Sequence, residues 1–266
     1  MSWPYVDNLS GEGLPMLTDE TCNEILGGAL VIHQSRRGYQ FNLDSLILAH
    51  FAKPPVRGSH LDLGCGNGII LLVMAGNRPG ARWTGLEIQP QLAALARLNV
   101  QSNGLSDRAE IVAGDAQDIR RLFKPASFHS VIFNPPYRRL QSGRINPQEE
   151  KAAARHEILG SLPVFLSAAR QVLKPSGRVC TIYPASRLAH LVCEFRRHRI
   201  EPKRMRLVFS DSSSPAQFVL AEGRLFAREE LKVEPPLFIY ESRGVYTKDM
   251  KDVFTGLAAP PDGASG

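Results

Sequence analysis

Three glycines at alternate positions constrain this chain more than any other feature: Asp62-Leu63-Gly64-Cys65-Gly66-Asn67-Gly68. A short apolar strand, His60–Leu63, runs into this loop, and Ile69–Ala75 runs out of it as an apolar helix. Backbone that turns so tightly from strand to helix, or that touches a ligand, needs residues without a Cβ. The dinucleotide fingerprint G-x-G-x-x-G is close but different, because position 69 is Ile and the third glycine comes one residue early. That departure argues against NAD.

The surrounding chain repeats the same strand-then-helix pattern. Arg82–Leu86 reads as a second strand ending at Glu87, and Pro90 opens a helix closed by Asn103-Gly104. Ala109–Ala113 is a third strand ending at Gly114-Asp115, and Ser130–Phe133 a fourth ending at Asn134-Pro135-Pro136-Tyr137. A helix over Ile158–Leu173 stops at Lys174-Pro175-Ser176-Gly177, before a fifth strand, Arg178–Tyr183. Strands near Met205–Phe209 and Gln217–Ala221 follow. Strands regularly separated by helices predict an α/β fold: a doubly wound, mainly parallel, Rossmann-like sheet with short N- and C-terminal extensions. Ligands of such sheets bind outside the carboxyl ends of the strands, where every cluster named above falls. The expected organisation is an extension over 1–56 packed on the same domain, a main domain over 57–256 and a disordered tail over 257–266. In the extension, Gly38–Phe41 reads as a short strand, and Asn42 or Asp44 as the cap of a helix over Leu46–Phe51.

Composition excludes other classes. With 43% apolar and 22% charged residues the chain is an ordinary globular one, and no run approaches the ~20 apolar residues of a membrane span. The acidic start Met1–Gly13 lacks an export pattern, and Cys22, Cys65, Cys180 and Cys193 form no metal spacing. A cytoplasmic protein with free thiols and no metal is expected.

The net charge of +6 is unevenly spread. Residues 134–210 hold 15 Lys or Arg against 5 acids, whereas 1–133 carry a net −1 and 211–266 a net −3. An Arg-rich block of this kind suggests a polyanionic partner; solvated helix faces are the alternative.

At the strand ends, a carboxylate at Glu87 can accept both hydroxyls of a ribose, and one at Asp115 can accept from an adenine amino group. Taken singly, such residues are more often caps or turns. An acidic residue followed by G-x-G-x-G, with these partners, resembles the class I S-adenosylmethionine-dependent methyltransferases over roughly residues 57–183. The resemblance implies S-adenosylmethionine as cofactor, bound by Asp62, Gly64, Gly66, Gly68, Glu87, Asp115, Ala116 and Asn134. The glycine loop would hold the methionine portion, Glu87 the ribose, and Asp115 with Ala116 the adenine.

Asn134-Pro135-Pro136-Tyr137 directly follows a strand. Two prolines fix the backbone and remove two donors, leaving the Asn134 amide oxygen and the Pro135 carbonyl as two acceptors at fixed separation. Such a pair suits an NH2 group, and Tyr137 can stack on a planar acceptor. The tetrapeptide resembles amino methyltransferases acting on adenine N6, guanine N2 of ribosomal RNA, or glutamine N5 of release factors.

Three features favour RNA adenine: Arg138 and Arg139 beside the motif, the basic block that starts there, and the short segment before the glycine loop. Over roughly residues 36–254 the layout resembles the transfer-RNA adenine-N6 methyltransferases that modify valine tRNA beside the anticodon. Its marks are Phe41-Asn42-Leu43-Asp44, Ala154-Arg155-His156-Glu157, Pro236–Tyr240 and Tyr246–Met250. The reading is therefore methyl transfer to adenine N6 in tRNA, with glutamine-N5 or guanine-N2 transfer as alternatives. Asn134, Pro135 and Tyr137 are the expected catalytic residues, and Arg138, Arg139, Arg144 and Arg155 the expected RNA contacts. Arg196–Arg199 and Lys203–Arg206 are either phosphate contacts or solvated ends of a helix and an edge strand.

Overall fold

Alternate residues of the central strands are delivered to two different cores, which is what a period of two imposes on a sheet covered on both faces. The computed structural model describes residues 7–8, 20–35, 42–136 and 161–258. A short strand β1 (Asp7–Asn8) and the hairpin β2 (Glu20–Ile25) and β3 (Leu30–Ser35) form a small antiparallel sheet. Helix α1 (Leu43–Phe51) then leads to β4 (Gly58–Leu63), α2 (Ile69–Gly76), β5 (Ala81–Glu87), α3 (Pro90–Ser102) and β6 (Ala109–Ala113). After the short α4 (Ile119–Leu122) come β7 (Phe128–Phe133), α5 (Leu162–Val172), β8 (Leu173–Pro184), α6 (Leu188–Arg197), β9 (Ile200–Phe209) and β10 (Ala216–Leu225). Three short pieces, β11 (Lys232–Val233), β12 (Leu237–Phe238) and the pair β13 (Tyr240–Ser242) and β14 (Val245–Tyr246), precede α7 (Lys248–Ala258).

The large sheet runs β11-β9-β10-β8-β7-β4-β5-β6, with β12 also on β9. From β6 to β8 all pairs are parallel, and β10 is inserted antiparallel between β8 and β9. The fold is the doubly wound α/β class that the strand–helix alternation predicts. Chain order reverses between β4 and β7, so their carboxyl ends flank the crevice where ligands of open α/β sheets bind. One core gathers Ile132, Cys180, Ile182 and Leu220 with α1, α2, α3 and α7; the other gathers Leu61, Leu63, Val131 and Phe133 with α4, α5 and α6.

Several elements exceed their sequence-based bounds for identifiable reasons. The expected helix stop Lys174–Gly177 is a bulge inside β8, since Leu173 pairs with Phe128 and Arg178 with Ser130. Ser176 takes a positive φ of 60° there. Strands β9 and β10 run past the apolar segments expected of them because Arg204 and Glu222 neutralise each other across the pair, 2.8 Å apart. Helix α7 reaches Ala258, into the expected tail, burying Met250, Val253, Phe254 and Leu257 at helical spacing. Asn42 occupies the N-cap of α1, where its side chain makes no capping bond. Residues 36–41, with the expected strand over Gly38–Phe41, lie outside the described residues, as do 158–160 of the expected helix.

The hairpin is attached by side chains standing in for a strand. Asn103 accepts from Val31 N–H at 2.8 Å and donates to its carbonyl at 2.6 Å. One helical turn earlier, Asn99 does the same for His33, at 2.6 and 3.0 Å. Asn99 also donates to the Asn67 carbonyl at 2.9 Å, tying the hairpin to the glycine loop.

Candidate active site

The glycine loop is fixed by hydrogen bonds to the neighbouring strand. Gly64 and Cys65 both donate to the Leu86 carbonyl, at 2.7 and 3.1 Å, and Gly68 donates back to Cys65 at 2.8 Å. Gly64 has φ 72°, and a Cβ there would lie 3.0 Å from the ring of Phe165. Gly68, at φ 88°, is the left-handed N-cap of α2, and a Cβ there would press Ala96 at 3.3 Å. Both positions therefore require glycine on conformational and steric grounds together.

Glu87 is 4% exposed and divides its carboxylate between two backbone donors. Gly66 N–H reaches one oxygen and Gln89 N–H the other, each at 2.9 Å. Each oxygen keeps a lone pair for a further donor. Asp115 caps the short helical turn Ala116–Asp118, one oxygen accepting from Gln117 N–H at 2.8 Å. Its capping role is thus real, and its second oxygen has no hydrogen bond among the described residues.

A cleft of about 400 Å³ opens over these elements. Gly64, Gly66, Glu87, Asp115, Ala116 and Asn134 line it, bringing together six of the residues singled out in the sequence. Gly68 acts one position deeper, as the helix cap. Asp62 does not line the cleft: it is buried beneath the loop and accepts from Leu71 N–H at 3.2 Å. Its other oxygen has no hydrogen-bond partner among the described residues. Burial, aided by the charge of Glu87, pushes its carboxyl up to about 7, so it holds a proton into the neutral range. Burial also raises the Cys65 thiol well above the ordinary range, which makes it inert.

Asn134 follows β7 directly across the crevice from the glycine loop. Its amide nitrogen faces the buried Ser45 hydroxyl of α1 at 3.4 Å, while its amide oxygen is buried and, among the described residues, without a hydrogen-bond partner. A buried acceptor left unpaired costs about 1–3 kcal/mol, so its place on a ligand cleft is informative. Pro136 lines the cleft as well. Tyr137, Arg138, Arg139, Arg144 and Arg155 lie outside the described residues.

The sequence reading missed the apolar walls: Leu63, Leu86, Ile88, Leu92 and Phe165. Phe165 stacks on Phe133 with centroids 5.3 Å apart, placing α5 against the cleft. Only its membership of the apolar stripe Leu162, Phe165, Leu166, Ala169 hinted at burial, not at a cleft.

Part of the basic block is structural. Arg204 meets Glu222 at 2.8 Å and Glu234 at 3.3 Å, donates to the Phe51 carbonyl at 2.7 Å and lies 3.9 Å over the Phe51 ring. Arg178 meets Glu222 at 3.5 Å, and Arg206 meets Asp249 at 3.1 Å. Arg196 pairs with Glu201 and Glu229, and Lys203 with Glu230. These pairings with acids favour a structural role for Lys203, Arg204 and Arg206 over the phosphate-contact alternative. Among the described residues no group of three His, Cys, Asp or Glu side chains could hold a metal ion. No helix among them is long and apolar enough to cross a membrane.

Comparison with known proteins bears on this arrangement. The family model "Methyltransferase small domain" matches residues 42–188. A tRNA1(Val) (adenine(37)-N6)-methyltransferase of Porphyromonas gingivalis strain W83 is 30% identical over 226 residues, covering 82% of this chain and 88% of its own. One of the same description from a Flavobacteriaceae bacterium is 25% identical, covering 79% of this chain and 96% of its own. Among solved structures, a predicted O-methyltransferase of Agrobacterium tumefaciens superposes with a TM-score of 0.66 at 19% identity, over 82% of this chain and 98% of that one. That likeness carries the fold alone.

Proposed function

The chain belongs to the methyltransferase small-domain family, and we propose that it transfers a methyl group to N6 of an adenine in tRNA. The observation that carries this reading is the Asn134 amide oxygen on the wall of the cleft, a buried acceptor with no partner among the described residues. The relatives that match most of the chain carry a tRNA adenine-N6 description, which supports the same acceptor.

The residues fit S-adenosylmethionine, the family's methyl donor. Gly64 and Gly66 present bare backbone for the methionine portion, and Glu87 has one free lone pair on each oxygen for the ribose hydroxyls. The free oxygen of Asp115, with Ala116, would hold the adenine end, and the apolar Ile88 and Leu92 line the same cleft. S-adenosylmethionine supplies an electrophilic methyl on a sulfonium that departs as a neutral thioether.

The chain's part in the reaction is orientation. The amino nitrogen of adenine has its lone pair delocalised into the ring. Acceptance of its two hydrogens by the Asn134 amide oxygen and the Pro135 carbonyl favours a pyramidal nitrogen and aims the pair at the methyl. With the donor bound, the acceptor nitrogen would gain the methyl group and then shed one amino proton, which bulk solvent takes up after the transfer. No strong base is required. Alignment within ~3–3.5 Å and exclusion of water supply most of the acceleration. Tyr137 stacks on the base, and Arg138, Arg139, Arg144 and Arg155 hold nearby phosphates. The adenine must be turned out of its stack to reach these groups.

Labelled S-adenosylmethionine and unmodified bulk tRNA, followed by nucleoside digestion, test the reading directly. N6-methyladenosine is expected with the wild type. Asn134→Ala is expected to lower turnover by roughly 10²–10³-fold, as loss of an oriented polar group does elsewhere, with cofactor affinity within about twofold of wild type by calorimetry. A different methylated nucleoside, or full turnover by Asn134→Ala, would overturn it.

A further inference from the structure

The two helical layers that sandwich the sheet differ in charge far more than in apolar content. Segments 116–127, 161–174 and 185–199, which carry α4, α5 and α6, hold nine Lys or Arg and two acids, a net +7. Segments 42–53, 69–80, 90–107 and 248–258, which carry α1, α2, α3 and α7, hold five against four, a net +1. Of the nine cations on the first face all but Lys174 are exposed. Arg120, Lys124, Arg170, Arg187 and Arg199 make no ion pair among the described residues, so about half of this field is uncompensated.

Three observations join that face to the cleft. Helices α4, α5 and α6 share one core and cover one face of the sheet. A groove of about 410 Å³ runs between α5 and the end of α6, lined by Gln117, Ser167, Gln171, Glu194 and Arg197, and it shares Ala116 with the active-site cleft. Helix α5 spans 11 residues, so the face extends ~16 Å along the helix axis.

We infer that the α4–α5–α6 face is the surface on which the RNA substrate lies, its phosphates held by the unpaired cations while the target adenine enters the cleft. The inference rests on the tRNA reading above and adds a location to it. A strongly basic, polar face fits a polyanion, whereas the near-neutral opposite layer does not.

Two matched triple variants test this. Arg120→Gln/Arg170→Gln/Arg187→Gln neutralises the proposed face, and Lys53→Gln/Lys248→Gln/Lys251→Gln removes the same charge from the opposite layer. Binding of unmodified bulk tRNA is measured by anisotropy across a potassium chloride series, alongside S-adenosylmethionine affinity as a check on the fold. The first triple is expected to flatten the log–log salt slope by about 2 units, at ~0.7–0.9 for each phosphate no longer neutralised by the protein, with cofactor affinity unchanged. The second is expected to change the slope by less than half as much. Equal flattening by both, or an unchanged slope in the first, would overturn the location while leaving the tRNA reading intact. Absence of salt-dependent tRNA binding by the wild type would remove both together. Salt-dependent binding by Asn134→Ala equal to wild type would keep the docking face distinct from the chemistry.

Discussion

The antiparallel edge of the sheet and the carboxyl ends of its parallel strands both bury polar groups, but they treat them oppositely. At the edge, Glu222 is 5% exposed and meets Arg204 and Arg178, while Arg204 also meets Glu234 and the Phe51 carbonyl. At the carboxyl ends, the Asn134 amide oxygen on the cleft wall and one oxygen of Asp62 beneath the loop are buried without a hydrogen bond among the described residues. Complete pairing marks a structural device. An unpaired buried acceptor on a cleft marks a place kept for something else. The difference also separates arginines that look identical in sequence: Arg204 is consumed by the fold, whereas Arg120 and Arg187 face solvent.

Breaking the paired region gives the largest expected effect. Glu222→Ala strands Arg204 and Arg178 beside a vacated buried carboxylate, and loss of one partner of a buried ion pair costs about 3–5 kcal/mol. Urea unfolding should show the midpoint falling accordingly. A change under 1 kcal/mol would mean that water or Glu234 compensates, and that the edge is not held by this network.

The unpaired region responds to pH instead. Asp62 and His60 stand two residues apart on β4, and burial shifts them in opposite senses. The Asp62 carboxyl rises to about 7, while the His60 imidazole falls to about 4, with His129 and Arg78 adding to the burial effect. For Asp62 the native state holds a proton that the unfolded chain has lost, so its stabilising contribution fades as pH rises from about 4 to 7. For His60 the unfolded chain binds the extra proton, so its contribution grows as pH rises from about 4 to 6.5. The two slopes oppose each other in the wild type. Asp62→Asn removes the first, and its stability relative to wild type should rise by about 1.4 kcal/mol per pH unit up to about 7, then level off. Parallel urea series at four pH values would show it; a constant gap would place the Asp62 carboxyl in its ordinary range.

The sequence carried the site better than it carried the frame. Glycines at 64, 66 and 68 and acids at 87 and 115 were legible because strand-to-helix turns and strand ends demand particular residue types at particular spacing. The hairpin over residues 20–35 was not, because what holds it is Asn99 and Asn103, two polar side chains on α3 and at its end that local pattern cannot tell from solvated ones. Strands β9 and β10 were read short for the same reason: Arg204 and Glu222 look exposed until their pairing across the sheet is known. Phe165 reached the cleft through tertiary packing alone. The +10 block showed that cations were abundant but not which of them were already spent.

That last distinction yields the smallest expected effect and the sharpest contrast with Glu222. Arg120, Arg170 and Arg187 are exposed and make no ion pair among the described residues, so removing them strands no partner. Exposed charges of this kind shift stability by about ±0.5 kcal/mol at most, and removal from a face of net +7 relieves repulsion. Their combined Gln variant should therefore unfold in urea within about 0.5 kcal/mol of wild type, or slightly above it at low salt. A loss of 2 kcal/mol or more would show that these arginines, like Arg204, are part of the framework. The +7 face would then be a by-product of packing rather than a surface free to meet phosphate.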